Sequence, residues 1–111
     1  MYIYNVTINI DNSIQQEWVF WIKTHINSVL ATEKFTSAKL YKVLVKEEMG
    51  TTYTVQYTAN TRKDLDDYYA FEAPKLRNSG IQKFGNKMLI FRTELELVNH
   101  FYPKKTKCKK D

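Results

Sequence analysis

The order in which strand-like and helix-like segments follow one another constrains the fold of this chain more than any other feature. Residues 2–10 alternate with a period of two, which predicts a strand with one apolar face. Ser13 and Gln16 then form a capping-box pattern, and apolar residues at three- and four-residue steps predict a helix to about residue 30. Residues 38–46 and 51–59 predict two strands, which a glycine-containing connection joins as a hairpin.

A second helix and a last strand complete the pattern. The helix is expected to begin after Thr61, which opens a second capping-box pattern. Pro74 should stop or kink it, because proline removes a backbone donor and crowds the preceding turn. We expect a short helical continuation that ends near Gly80. Residues 87–98 alternate again and predict the final strand.

The resulting order, β-α-β-β-α-β, predicts an α+β ferredoxin-like fold, with a four-stranded antiparallel sheet and two helices on one of its faces. At 111 residues the chain has room for one domain, which we place at residues 1–102. Residues 103–111 are a lysine-rich tail that we expect to be disordered. This tail carries most of the net charge of +5, so residues 1–102 have a net charge of only +1.

Several classes of protein are excluded by what the sequence lacks. No apolar run approaches about 18 residues, and the first residues do not resemble a signal peptide, so we expect a cytoplasmic protein with no membrane partner. The only cysteine, Cys108, lies in the tail and has no second cysteine to pair with. The only histidines are His25 and His100, and their spacing fits no metal-binding motif. We therefore expect neither a metal nor a cofactor.

The face of the sheet that carries no helices is the first place to look for a partner. We assign the apolar side of each strand to the helices, which leaves polar residues on the open face. The candidate dimer contacts on this face are Asn5, Thr7, Thr54, Gln56, Arg92 and Glu94. An RNA-binding domain of this topology would place aromatic residues there, so we expect no nucleic-acid partner. The pattern is compatible both with a homodimer through this face and with a solvated sheet.

Several segments resemble an uncharacterised bacterial domain family, and the resemblance covers roughly residues 1–98. The matching segments are residues 4–7 (YNVT), 29–32 (VLAT), 53–57 (YTVQY), 73–77 (APKLR) and 91–96 (FRTELE), of which the last is the most distinctive. This is a domain-of-unknown-function family of the ferredoxin-like dimeric α/β-barrel superfamily. The resemblance implies the ferredoxin-like fold and a homodimer, and it brings no established activity.

In that superfamily, pockets lie between the helices and the sheet of one protomer, so the resemblance implies a small-molecule site there. The residues expected to wall it are Trp18, Trp21, Ile22, His25, Tyr53, Tyr57 and Phe91. His25 is a candidate general base, because the reference pKa of histidine is the one nearest neutrality. A structural histidine and a purely structural aromatic core are the alternatives. Arg77 could cap the kinked helix or form a salt bridge at the end of the sheet.

Two functions remain open from the sequence. The first is a homodimeric binding or accessory module without catalysis, since no catalytic set can be assembled from the spacing of the residues. The second is a cofactor-free enzyme of oxygenase or isomerase type, with a pocket around His25. This alternative depends on analogy with the superfamily.

Overall fold

A computed structural model describes residues 1–46 and 49–104 and confirms the β-α-β-β-α-β order. The strands are β1 (Tyr2–Ile10), β2 (Ser37–Lys42), β3 (Thr51–Ala59) and β4 (Met88–Glu96). The helices are α1 (Gln15–Leu30), α2 (Arg62–Asp67) and α3 (Ala73–Phe84), and a π-helical turn, Tyr68–Glu72, joins the last two. The prediction of a disordered tail falls mainly on residues 105–111, including Cys108, and lies outside the described residues.

The four strands form one antiparallel sheet in the order β2-β3-β1-β4, as the ferredoxin-like arrangement requires. β1 is central and pairs with β3 and β4 over all nine of its residues. In this register Val6 lies opposite Val55 on β3 and opposite Arg92 on β4. Directly opposed residues of antiparallel strands point to the same side of the sheet. The register therefore decides which side chains of β4 face the helices.

The hydrophobic core lies between the helices and the even-numbered residues of β1. Trp18, Ile22 and Val29 of α1 are buried against this side of the sheet, as the helical spacing predicts. From the second crossover, Leu65 and Tyr68 complete the core. Burying a large apolar side chain contributes about 1.5–3 kcal/mol, so these contacts supply much of the stability of the fold.

The faces of β4 are the reverse of the sequence-based assignment. Phe91 pairs with Thr7 and therefore lies on the open face, whereas Arg92 and Glu94 pair with Val6 and Tyr4 and lie on the helix side. The prediction turned the more apolar set of β4 residues toward the helices. The pairing register with β1 decides which set faces them, because a shift of one residue moves every side chain to the opposite face of the sheet. Phe91 is thus wrong as a pocket residue, and Arg92 and Glu94 are wrong as dimer-face residues.

Pro74 interrupts the second crossover less than the sequence suggests. It occupies the first turn of α3, where a missing backbone donor is tolerated. The π-helical turn before it keeps the backbone helical up to the proline, because the N–H of Ala73 bonds to the carbonyl of Tyr68, five residues earlier. The helix then continues past the predicted end at Gly80 as far as Phe84, where Gly85 takes a positive φ of 56° and ends it.

Candidate functional site

A cavity of about 50 Å³ lies between the sheet and the helices α1 and α3. Most of the residues that wall it come from four elements: Trp18, Trp21, Ile22 and His25 from α1; Tyr4, Val6 and Ile8 from β1; Leu76, Arg77 and Gly80 from α3; Met88, Ile90 and Arg92 from β4. Val55, Tyr57 and Tyr68 also line it. The cavity is thus apolar inside, with charged and polar groups contributed by a few residues.

Of the seven predicted pocket residues, five line this cavity, namely Trp18, Trp21, Ile22, His25 and Tyr57, and two, Tyr53 and Phe91, do not. Tyr53 packs its ring 5.0 Å from the ring of Trp18, and its hydroxyl accepts a hydrogen bond from Gln15 at 3.1 Å. Phe91 lies on the opposite face of the sheet. Tyr53 is therefore a core residue beside the site.

Trp21 and His25 form one wall of the cavity. Their rings stack with centroids 4.6 Å apart, and the edge of Trp21 meets Phe84. Burial lowers the pKa of His25 below its ordinary value, because the apolar surroundings disfavour the charged imidazolium. At neutral pH His25 is therefore uncharged and able to accept a proton or a hydrogen bond.

Gly80 allows α3 to approach this wall closely. A Cβ at position 80 would lie 2.8 Å from Cη2 of Trp21, which is closer than packed carbon atoms come. Gly80 is buried in the middle of α3, where glycine otherwise costs about 1 kcal/mol relative to alanine. The close contact with Trp21 gives a physical reason for glycine at this position.

At the other end of the cavity, Tyr4 is held by a cluster of aromatic rings. Its ring centroid lies 5.5–6.1 Å from those of Phe35, Tyr57, Tyr68 and Tyr69. Rings at such distances attract one another and restrict side-chain rotation. The hydroxyl of Tyr4 therefore occupies a fixed position beside the cavity.

Two arginines converge on that hydroxyl. Arg77 of α3 donates a hydrogen bond to Tyr4 Oη at 3.0 Å, and Nε of Arg92 donates to the same oxygen at 3.1 Å. Because guanidinium groups only donate, the hydroxyl accepts both bonds and its own hydrogen remains available to another acceptor. The sequence left Arg77 between a helix cap and a salt bridge; among the described residues its side chain forms no salt bridge and instead donates to Tyr4.

The carboxylate of Glu94, which lies in the same groove as the two arginines, is already bound elsewhere. Arg62 bonds both oxygens of Glu94, at 2.8 and 3.1 Å, and the hydroxyl of Tyr69 donates to Glu94 at 2.7 Å. These hydrogen bonds, that of Arg62 first, hold the pKa of Glu94 below its usual range. Within the described part of the chain, neither Arg77 nor Arg92 forms an ion pair with an acidic side chain.

Two buried nitrogen atoms that belong to cavity-lining residues have no hydrogen-bond partner among the described residues. They are Nε1 of Trp18 and Nε of Arg77. A buried donor without an acceptor costs about 1–3 kcal/mol. Tyr4, Arg77 and Arg92 of the cavity also line an open groove outside it, together with Glu94, so the cavity and the groove share residues.

The open face of the sheet differs from its prediction in one respect. Its polar residues bond to one another: Thr7 and Thr54 are 2.7 Å apart, and Asn5 donates to Thr93 at 3.3 Å. Beside them β4 presents an apolar row, Leu89, Phe91 and Leu95, with 61%, 64% and 47% of their surface exposed. The face is therefore more apolar than the sequence-based assignment indicated.

No group of three His, Cys, Asp or Glu side chains in the described ranges is arranged to hold a metal ion. None of the helices described has the length and apolar character needed to cross a bilayer.

Comparison with protein families now identifies the chain. Residues 1–98 match the family described as "Domain of unknown function (DUF4286)". The chain belongs to this family. The family description names no activity, so the DUF4286 match supports the domain boundaries of the resemblance without adding a function. No curated protein matches the sequence.

Solved structures show the same fold at low sequence identity. Rv0793 from Mycobacterium tuberculosis superimposes with a TM-score of 0.64 at 12% identity, covering 90% of this chain and 98% of its own. An ethyl tert-butyl ether d (ethd) family protein from Bacillus halodurans gives 0.63 at 9% identity, covering 86% and 100%. A dimeric ferredoxin-like protein from an uncultured marine organism gives 0.54 at 10% identity, covering 90% and 97%. These likenesses establish the ferredoxin-like fold of this DUF4286 domain.

Sequence reasoning missed the residues that make the site polar. Tyr4 was expected on the apolar face of β1, where it does lie, but its hydroxyl was not considered, and Arg92 was assigned to the wrong face. Arg92 did carry a signal, because a charged residue inside a strand needs a partner if its side chain is buried. That partner, the Tyr4 hydroxyl, is 88 residues away along the chain, and only the pairing of β1 with β4 brings it close.

Proposed function

We propose that this protein is a homodimeric binding module that holds a small molecule in the cavity between its helices and its sheet. The observation that carries the proposal is the combination of an apolar cavity with fixed polar groups at one end. Ligand sites in proteins are mostly apolar and use a few well-placed polar groups for orientation. The unpaired N–H groups of Trp18 and Arg77 support the same reading, since a ligand acceptor would satisfy them.

The test is a screen of small fragments by two-dimensional NMR, with the indole N–H signals of Trp18 and Trp21 as reporters of the cavity. Ile90→Phe is the matched variant, because Ile90 lines the cavity and a larger side chain there fills it. We expect fragments that shift both indole signals in the wild type and fail to do so in Ile90→Phe. Binding that is unchanged in Ile90→Phe, or a screen without hits at these signals, would contradict the proposal.

The homodimer in this proposal uses the open face of the sheet. The exposed Leu89, Phe91 and Leu95 support it, because several apolar side chains on one exposed face of a folded protein commonly mark an interface. The polar pairs next to the row satisfy one another and can be covered without leaving unpaired donors. A specific interface buries about 800 Å² per partner, an area that a four-stranded face can supply.

A second candidate is proton transfer by His25 in the same cavity. It is favoured by the position of His25 among the lining residues and by its lowered pKa. Binding remains the better supported function, because burial alone shifts the pKa of His25, and no hydrogen bond to another described residue orients its ring as a general base requires. Once a ligand is known, turnover that disappears in His25→Gln while ligand binding persists would establish catalysis.

A further inference from the structure

We infer that the mouth of the cavity is a carboxylate site, and that its ligand is a short-chain aliphatic carboxylate whose tail enters the cavity. This inference rests on the proposed binding function and adds the chemical class of the ligand. Its centre is the group formed by the guanidiniums of Arg77 and Arg92 and the hydroxyl of Tyr4.

The first argument is charge. The donor nitrogens of Arg77 and Arg92 lie within about 3 Å of one oxygen, so the two cations are held close together. Like charges at such a distance repel each other, although solvent weakens the repulsion here because Arg92 is exposed and Arg77 is half-buried. Within the described ranges neither arginine forms an ion pair with an acidic side chain, and Glu94 in the same groove is bound by Arg62 and Tyr69. An anion in the groove would remove the repulsion.

The second argument is hydrogen-bond geometry. Nε of Arg77 is buried without an acceptor among the described residues, and the Tyr4 hydroxyl has a hydrogen left to donate. A carboxylate accepts several hydrogen bonds at once, and guanidinium groups recognise it through paired N–H donors. The aromatic rings around Tyr4 fix its hydroxyl, so the donors are positioned before the ligand arrives.

The third argument is size. An apolar cavity of about 150 Å³ takes a benzene ring. The cavity here has about 50 Å³, which corresponds to roughly two or three carbon atoms on the same scale. Its apolar wall next to the arginines, from Val6, Leu76 and Ile90, suits an unbranched aliphatic tail. A carboxylate with a tail of this length fills the cavity and places its charged group at the arginines.

The experiment compares butyrate with butyramide, which has nearly the same shape and no charge. Both are titrated into the full chain at constant ionic strength, and the indole N–H signals of Trp18 and Trp21 are followed by NMR. Ligands of six heavy atoms bind at best in the micromolar range and more commonly at millimolar concentration. We expect butyrate to bind at least tenfold more tightly than butyramide.

Variants of the two arginines then test whether their charges bind the carboxylate. Arg77→Gln and Arg92→Gln should each weaken butyrate binding about tenfold or more and leave butyramide binding unchanged. Lys75→Gln is the matched control, because it removes the same charge from an exposed position of α3. It should bind butyrate as the wild type does. The comparison of butyrate with butyramide on the wild type stands even if an arginine variant fails to fold.

The possible outcomes distinguish failure of the carboxylate assignment from failure of the proposed binding function. Equal binding of butyrate and butyramide would overturn the carboxylate assignment and leave a small-molecule cavity. Equal binding of inorganic phosphate and butyrate would overturn the requirement for an aliphatic tail, and with it the ligand class. Absence of any shift at the Trp18 and Trp21 signals with butyrate, butyramide and the fragment screen would overturn both proposals.

Discussion

Gly80 of α3 and Trp21 of α1 touch so closely that a single added carbon at position 80 would lie 2.8 Å from the indole ring. Trp21 is held on its other sides by His25 and Phe84, with ring centroids 4.6 and 5.3 Å away. The contact sets the distance between the two helices above the cavity. It also gives the first testable consequence of the structure.

Gly80→Ala should lower the stability of the protein although alanine favours helix. The helix gains about 1 kcal/mol from the substitution, but overpacking a filled site costs about 1–3 kcal/mol. We expect a net loss of about 1 kcal/mol, measured by urea denaturation. Ser79→Ala, at the exposed neighbouring position of α3, is the control and should be neutral or stabilising. A Gly80→Ala protein that is more stable than Ser79→Ala would show that Trp21 moves away freely.

The two tryptophans of α1 should differ in their contribution to stability. Trp18 is fully buried, and its replacement by alanine should cost about 3–5 kcal/mol in the free energy of unfolding. Trp21 is only partly buried, so Trp21→Ala should cost less, about 1–3 kcal/mol. The urea midpoints of the two variants measure this difference. Equal losses would mean that Trp21 is covered as completely as Trp18, as it would be beneath a partner or ligand.

The stability of the protein should decrease in mild acid because of His25. Burial lowers the pKa of His25 in the folded state, so below about pH 6.5 the unfolded chain takes up a proton that the folded chain resists. Stability is therefore unaffected above this pH and is lost as the pH falls from about 6.5 toward the lower pKa of the folded state. Urea midpoints between about pH 8 and pH 5 measure the loss.

His25→Gln is the matched variant for this pH dependence. It removes the titrating group and should flatten the stability curve between about pH 8 and pH 5. Glu94 does not interfere in this range, because its hydrogen bonds to Arg62 and Tyr69 lower its pKa and keep it charged. An identical pH dependence in the wild type and in His25→Gln would assign the loss to other groups.

Phe91→Lys should dissociate the proposed dimer. The open face of a dimer would bring two added lysines near one another across the twofold axis, and their repulsion would add to the lost apolar contact. Light scattering at micromolar concentration should give twice the monomer mass of 13.2 kDa for the wild type and the monomer mass for the variant.

The control for this prediction lies on the other side of the molecule. Phe20 of α1 is 79% exposed and is not on the sheet face, so Phe20→Lys adds the same charge elsewhere. It should leave the dimer intact. A wild-type protein of monomer mass, or a dimer that Phe20→Lys disrupts and Phe91→Lys does not, would remove the sheet face as the interface.

The amino-acid sequence determined the order of the elements and the faces of β1 and β3. In both strands one set of alternating residues is apolar and the other polar, so only one orientation buries the apolar set. The start of α2 after Thr61 was equally local, since the Thr61 side chain accepts a hydrogen bond from the N–H of Asp64. Such features depend on residues that are close together along the chain, so the amino-acid pattern is enough to predict them.

The tertiary structure alone decided the face of β4 and the composition of the site. Both faces of β4 carry apolar residues, so the alternation of its sequence allows either face to lie toward the helices. The register with β1 selects the orientation that places Arg92 on the helix side. Arg77 and Arg92 meet at the hydroxyl oxygen of Tyr4, although they lie 73 and 88 residues after it along the chain. Contacts over such distances arise from strand pairing and helix packing, which periodicity along a single sequence does not encode.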